Sequence, residues 1–276
     1  MFADLHLHTT FSDGTLSPGE MVKKAASRGI GLISVCDHNT VEAYPELASA
    51  CPEKGARLLA GVEIDCMMGS RHIHLLGYGF DLNDPALLAL LDECRQKRQY
   101  HNDTVIVNMA RDYPIDLDEY AAHVTPPEIA AYKNVDFLLR KGIINAVAEY
   151  FPLHKKYRLE IEAIGLPRLE RACSAIKSAG GAPVLAHPWR VLDRENFANE
   201  LQAAVDSGVA GLECYYPDHD EKTAKLCVDF CKERDLLITA GSDDHGDFIK
   251  EVDGIVYQLG GIIAETRSLN LRGLAY

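Results

Sequence analysis

Asp4-Leu-His6-Leu-His8 decides how this chain folds. Side chains on a strand alternate between faces with period two, so both imidazoles stand on the same face and can chelate one ion. Six more runs have the same form: Leu32-Ile-Ser-Val-Cys-Asp37-His38, Leu58-Leu-Ala-Gly-Val-Glu63, Ile73-His74, Pro183-Val-Leu-Ala-His187, Gly211-Leu-Glu213 and Ile238-Thr-Ala-Gly-Ser-Asp243-Asp-His245. Each is short, apolar and partly β-branched, reads as a buried strand, and ends in a histidine or a carboxylate. In a closed parallel α/β barrel the C-terminal strand ends converge on one face. Six of the eleven histidines and several carboxylates would meet there. That is more ligand than one ion needs, so the pattern predicts a multinuclear metal site.

Helical patterns separate the runs. Ser17-Pro-Gly-Glu20 is a capping box with proline at the first helical position, and Gly29 closes that helix. Residues 169–179, 195–207 and 221–234 also carry helical periodicity. Strand–helix alternation makes a parallel sheet, and seven right-handed units can curl into a barrel. The rhythm breaks between His74 and His187, an interval far longer than the roughly 30 residues a βα unit needs. Residues 85–101 and 135–150 read as helical within it. The expected organisation is a barrel over residues 1–98 and 168–276, with a small helical domain inserted at 99–167.

The composition, 47% hydrophobic with a net charge of −13, suits a large folded domain and disfavours non-specific nucleic-acid binding. One stretch runs against that charge: residues 133–158 carry six basic and two acidic side chains. No run approaches the roughly 18 apolar residues needed to cross a bilayer. The first residues are not a basic segment followed by an apolar one, so a cytoplasmic protein is expected. The eight cysteines lack C-x-x-C spacing and are expected as reduced buried thiols. The phosphate-cradling, dinucleotide and serine-elbow glycine motifs are absent, which disfavours P-loop and serine-hydrolase chemistry.

The His6-x-His8 pair is followed by Asp13, Asp37-His38, Glu63, His74, His187 and Asp243-x-His245. Imidazole suits manganese, iron and zinc, and a carboxylate can bridge two ions. Asp4-Leu-His-Leu-His8, Asp37-His38-Asn-Thr40, Gly61-Val-Glu63-Ile, His74-Leu-Leu-Gly77, Ala186-His187-Pro188 and Gly241-Ser-Asp-Asp-His245 together resemble the motifs of the PHP (polymerase and histidinol phosphatase) superfamily, in the family's order. The resemblance covers both ends of the chain and leaves out the insertion. It implies a distorted seven-stranded (β/α)7 barrel and a centre of two to three divalent ions. On the family pattern His6, His8, Glu63 and Asp243 hold the first ion. Glu63 bridges to a second, shared with His74 and His187, and Asp13, His38 and His245 hold the third. Glu213 reads as either an extra ligand or an acceptor of hydrogen bonds behind the ligands, the second being favoured. His72 reads as an ordinary strand histidine, and His101, His123 and His154 as surface or structural residues.

Clustered divalent ions acidify water and clamp a phosphoryl group for in-line attack, so a bridging hydroxide is the expected nucleophile. The resemblance agrees in implying a phosphoesterase. Its branch with an inserted helical domain acts on nucleotides, bisphosphonucleotides, sugar phosphates and cyclic phosphates. The expected partner is such a small molecule, with no membrane and no extended nucleic acid. Arg140, Lys141, Arg190 and His219 are candidate substrate contacts, with Lys155, Lys156 and Arg158 as further cations. His219, just past a strand end, is also the candidate acid for the leaving oxygen. Nucleotide-directed relatives carry a glycine-arginine-x-histidine-like run where this chain has Tyr132-Lys-Asn-Val-Asp-Phe137, which leaves room for a sugar phosphate or cyclic phosphate. The alternatives are a 5′–3′ exonuclease of short oligoribonucleotides, a histidinol-phosphate phosphatase and a non-catalytic metal-binding module.

Overall fold

Strand β1 (Phe2–Leu7) is buried on both faces, which is why its leucines and its polar residues alike are withdrawn from water. The computed structural model describes residues 1–248, 251–252, 254–262 and 264–276. After β1 come α1 (Pro18–Ser27), β2 (Ile30–Val35), α2 (Tyr44–Lys54), β3 (Arg57–Leu58), β4 (Gly61–Met68) and β5 (Arg71–Tyr78). The helices α3 (Pro85–Met109), α4 (Leu117–Ala122), α5 (Lys133–Arg140), α6 (Tyr150–Tyr157), α7 (Ile161–Ile164) and α8 (Leu169–Ser178) follow. The chain then returns to alternation with β6 (Ala182–Leu185), α9 (Pro188–Val191), α10 (Phe197–Asp206), β7 (Gly211–Tyr215), α11 (Glu221–Glu233) and β8 (Leu237–Ala240). It ends in short strands β9 (Glu251–Val252), β10 (Ile255–Val256) and β11 (Ala264–Glu265). The capping box at Ser17 is formed in both directions.

The fold is α/β with two main mixed sheets, ordered β4-β5-β6-β7-β8 and β11-β1-β2-β3. Strands β1 to β3 are parallel, as are β6 to β8, but β5 is antiparallel to both β4 and β6. Isolated bridges at Leu7–Asp244 and His38–Glu63 bring the two sheets together. This differs from the expected parallel sheet of seven strand–helix units, and the cause is local. Only Gly69-Ser70 separates β4 from β5, and Gly69 takes a left-handed φ of 62°, as tight hairpin turns require. The chain therefore reverses at once and no crossover helix intervenes.

Helix α3 ties the sheets to the helical stretch that follows. Its Leu87, Leu90, Leu91 and Cys94 pack into the main core with Leu169, Ala172, Cys173 and Ile176 of α8. Val105, Ile106 and Met109, further along, belong to a separate core with Tyr120, Val135, Phe137, Leu138, Ile144 and Tyr157. Each large buried side chain contributes about 1.5–3 kcal/mol, so both ends of α3 are well anchored. The helix runs unbroken through residues 98 and 99, where the sequence pattern sets a boundary. All eight cysteines are buried and free of disulfides. No helix among the described residues is long and apolar enough to cross a membrane.

Candidate metal centre

Period two in β1 and β4 builds the floor of the site. His6 and His8 are fully buried and aim their Nε2 atoms at the same two carboxylates. His6 Nε2 lies 3.2 Å from Glu63 Oε2 and 3.4 Å from Asp243 Oδ1, and His8 Nε2 lies 3.3 and 3.0 Å from the same oxygens. Glu63 turns its other oxygen the opposite way, with Oε1 2.9 Å from His74 Nδ1 and 3.2 Å from His187 Nε2. A third group forms around Asp13, whose oxygens lie 3.4 Å from His8 Nδ1, 3.6 Å from His38 Nε2 and 3.3 Å from His245 Nε2. All nine side chains that the sequence singled out as ligands thus come together in three overlapping groups.

A divalent-cation cluster fits this arrangement. Nε2 of His6, Nε2 of His8 and Oδ1 of Asp243 are buried without a hydrogen-bond partner, although opposite charges stand close by. The ligand-type atoms of His6, His8, Glu63 and Asp243 all lie within 4.8 Å of one another, close enough to share one ion. Leaving a buried polar atom so costs about 1–3 kcal/mol, and this nitrogen–oxygen donor set suits manganese, iron or zinc.

The protonation balance reflects the crowding. Burial acts to raise Glu63, Asp13 and Asp243, but the surrounding imidazoles outweigh it and hold all three carboxyls well below their usual range. Burial likewise acts to lower His8, yet Asp243 and Glu63 push it up to about 10. His38 goes the other way, to about 3, because burial and the Arg98 guanidinium both disfavour its cation.

Backbone devices hold the ligands in place. His187 and Asp243 adopt left-handed φ values of 30° and 55°, conformations that cost non-glycine residues free energy and cluster at functional sites. A Cβ on Gly241 would stand 2.1 Å from the Cβ of His6, so only glycine lets the last strand end approach β1. Asp37 accepts hydrogen bonds from the Thr9 amide, the Thr9 hydroxyl and the Ser12 hydroxyl at 2.6–2.7 Å. It thereby fixes the turn that presents Asp13. Glu213 lies behind the ligands, as expected: Oε1 is 2.9 Å from His6 Nδ1, and Oε2 accepts from the His187 amide at 2.8 Å.

Two residues at the site escaped the sequence reading. Asp65 lies 3.2 Å from His74 Nε2 and, with His38 and His74, forms a fourth group of ligand-type atoms. Its signal was present, since Glu63-x-Asp65 on β4 repeats the logic of His6-x-His8. Arg98 reaches from α3 to Asp65 at 3.0 Å and to Asp13 at 2.8 Å. Nothing in the helical pattern marks it. His72, read as an ordinary strand histidine, also touches Asp65 at 2.8 Å.

The open face of the site is a cavity of about 240 Å³ lined by Asp13, His38, Glu63, His74, Tyr132, His187, Arg190, Tyr216, Asp243, His245 and Tyr257. Of the candidate substrate contacts only Arg190 is there, held by the Tyr257 hydroxyl. Arg140 and Lys141 are not. They close α5, whose other face is buried, and they pair with Asp136 and Glu119. His219 is displaced as well. Its Nδ1 donates to the Cys214 carbonyl at 3.0 Å, and its ring stands 5.5 Å from Tyr216. Tyr216 in turn stands 5.2 Å from His187 and donates to Asp243 Oδ2 at 2.6 Å. Tyr216 therefore occupies the place at the cavity that the sequence suggested for His219.

Comparison with known proteins adds to this geometry. The family model described as PHP domain matches residues 4–157. A 5′–3′ exoribonuclease of Haemophilus influenzae is 28% identical over 88% of this chain and 89% of its own length. A phosphoribosyl 1,2-cyclic phosphate 1,2-diphosphodiesterase of Eggerthella lenta is 26% identical over 90% and 95%. A solved structure from Bifidobacterium adolescentis, described as a metal-dependent phosphoesterase, superposes with a TM-score of 0.78 at 26% identity, over 96% of this chain and 93% of that one.

Proposed function

The chain belongs to the PHP domain family, and as one of its metal-dependent phosphoesterases we propose that it hydrolyses a small phosphorylated metabolite, with a sugar phosphate or cyclic phosphate favoured over a nucleotide. The observation that carries the phosphoester chemistry is the set of buried atoms on His6, His8 and Asp243 that lack a hydrogen-bond partner, clustered beside a partly open cavity. In this reading His6, His8, Glu63 and Asp243, then Glu63, His74 and His187, and then Asp13, His38 and His245 would hold two to three divalent ions. Such ions supply charge neutralisation for phosphate oxygens and bring the pKa of water toward neutrality.

The chain's own residues set the rest. Glu213 accepts from His6 Nδ1, which leaves the Nε2 lone pair facing inward, the usual arrangement behind a ligating histidine. Glu63 offers its two oxygens to opposite sides, as a bridging carboxylate must. Arg190, oriented by Tyr257, offers its guanidinium to a phosphate oxygen. The Tyr216 hydroxyl, donating to Asp243, keeps that carboxylate turned toward the floor.

A second reading, removal of 5′ ends from short oligoribonucleotides, draws on the Haemophilus relative and on an adjoining cavity of about 460 Å³ that contains Arg95 and Arg98. Both arginines are already paired with acids, which weakens them as a path for a polyanion. A histidinol phosphate substrate is disfavoured by the long helical segment. A non-catalytic role is disfavoured by the presence of every expected ligand.

The test is a phosphate-release screen of the protein reconstituted with manganese, iron or zinc. It covers sugar phosphates, cyclic phosphates, nucleotides, bisphosphonucleotides and histidinol phosphate, with short oligoribonucleotides in parallel. Turnover fastest on a sugar phosphate or cyclic phosphate is the expected result. Turnover confined to oligoribonucleotides would transfer the assignment to the second reading, and none on any ester would remove both.

A further inference from the structure

The metal cavity and the adjoining cavity share three lining residues, Asp13, His38 and Tyr132. Asp13 and His38 are candidate ligands, so Tyr132 is the one shared lining residue that comes from the helical side and is not a candidate ligand. Its hydroxyl donates to the Asp13 carbonyl at 2.7 Å. Its ring packs on Phe248 with centroids 4.8 Å apart. One polar contact and one aromatic contact, from opposite parts of the fold, thus fix a phenol where the chambers would otherwise join.

The two chambers differ in character. The metal side, at about 240 Å³, is smaller than the roughly 300–1,000 Å³ typical of pockets for drug-sized ligands. The far side, at about 460 Å³, is lined by Phe11, Tyr150 and Phe151 together with Gln99, Asn102 and Arg98. Such a surface offers planar faces and amide groups to a ring that carries polar edges.

We infer that Tyr132 is a specificity-determining partition, which confines the enzyme to phosphate esters with a leaving group about the size of a pentose and keeps a nucleoside out of the second chamber. This rests on the phosphoesterase reading for its chemistry, but the wall itself is a matter of shape. Removing the ring joins the chambers and gives an adenosine moiety a place to lie. Removing only the hydroxyl leaves the ring held by Phe248.

The experiment measures binding of two non-hydrolysable phosphonates, analogues of ribose 5-phosphate and of adenosine 5′-phosphate. Titration calorimetry is run on the metal-loaded protein and on its Tyr132→Phe, Tyr132→Leu and Tyr132→Ala variants, each checked for folding by thermal melting. The corresponding esters are assayed for kcat/KM in parallel. The wild type should favour the ribose analogue. Tyr132→Ala should shift the preference toward the adenosine analogue by ~10-fold or more, the scale on which pocket size discriminates. Tyr132→Leu, the reserve should alanine unfold the protein, should shift it in the same direction, and Tyr132→Phe by less than ~3-fold. An unchanged preference in a folded Ala or Leu variant overturns the partition. So does a Phe variant that shifts as far as Ala, or a wild type that binds neither analogue. If the binding preference shifts as expected but neither ester is hydrolysed, the partition stands and hydrolysis of sugar and nucleoside 5′-monoesters falls.

Discussion

The metal pocket and the end of helix α5 both present charged side chains at places suggestive of function, and the fold treats them in opposite ways. In the pocket, the candidate ligands from β1, β4, β5 and the segments after β1, β2, β6 and β8 are buried or half-buried and lie close to shared partners. At the end of α5, Arg140 is mostly exposed and binds the acid one turn before it, while Lys141 takes Glu119. A strand end fixes the direction of its side chains through period two and through the next strand. A helix end offers a cation several acids within reach, and the nearest one takes it. Position on a strand therefore predicts company, and position on a helix does not.

The sharpest way to break this comparison is at Glu63. Glu63→Gln removes the carboxylate on which five imidazoles converge. It should lose at least one equivalent of metal by elemental analysis, together with most phosphate-releasing activity. Full metal content and near-normal kcat would remove Glu63 from the centre.

Glu213→Gln is expected to be next in size. The amide weakens the acceptor for His6 Nδ1 and the His187 amide, and metal affinity should fall by ~10–100-fold, as for other groups behind a ligating histidine. Competition with a chromogenic chelator reads this directly, and an unchanged affinity would place Glu213 in a packing role. His219→Asn should be milder, because Tyr216 stands between it and the cavity. Metal should be retained, with a loss below ~10-fold that is equal for alkyl and nitrophenyl phosphates, since general-acid catalysis would give a larger and leaving-group-dependent loss. A loss confined to the alkyl ester would restore His219 as the acid. Smallest of all, Arg140→Glu and Lys141→Glu should leave kcat/KM within ~2-fold on every substrate and stability within about 0.5 kcal/mol, as for surface changes elsewhere. A selective loss on doubly phosphorylated substrates would show that α5 reaches the pocket after all.

Much of the site was legible because its ligands sit on regular strands. His6-x-His8 announces a shared face, and the same rule applied to Glu63-x-Asp65 would have found Asp65. The Gly69-Ser70 pair between two apolar runs is likewise a hairpin signal that, given its due, predicts the antiparallel β5. Arg98 is different. It lies on a 25-residue helix with ligand-like partners 33 and 85 positions away in the chain, and no local period connects them. Tyr216 and His219 were exchangeable in the sequence, because both follow β7 closely and only the packing of the turn shows which one faces inward.

The sequence alone determined the alternating α/β plan, the helix start at the Ser17 capping box and the nine side chains that gather near the strand ends, because each depends on periodicity or on a local hydrogen bond. Tertiary structure alone decided that α3 joins two cores and brings Arg98 to Asp13, that Tyr216 and not His219 lines the cavity, and that Tyr132 lines two cavities. Those features arise from contacts between segments far apart in the chain, where the outcome depends on which neighbours the fold packs together and not on which stands next in sequence.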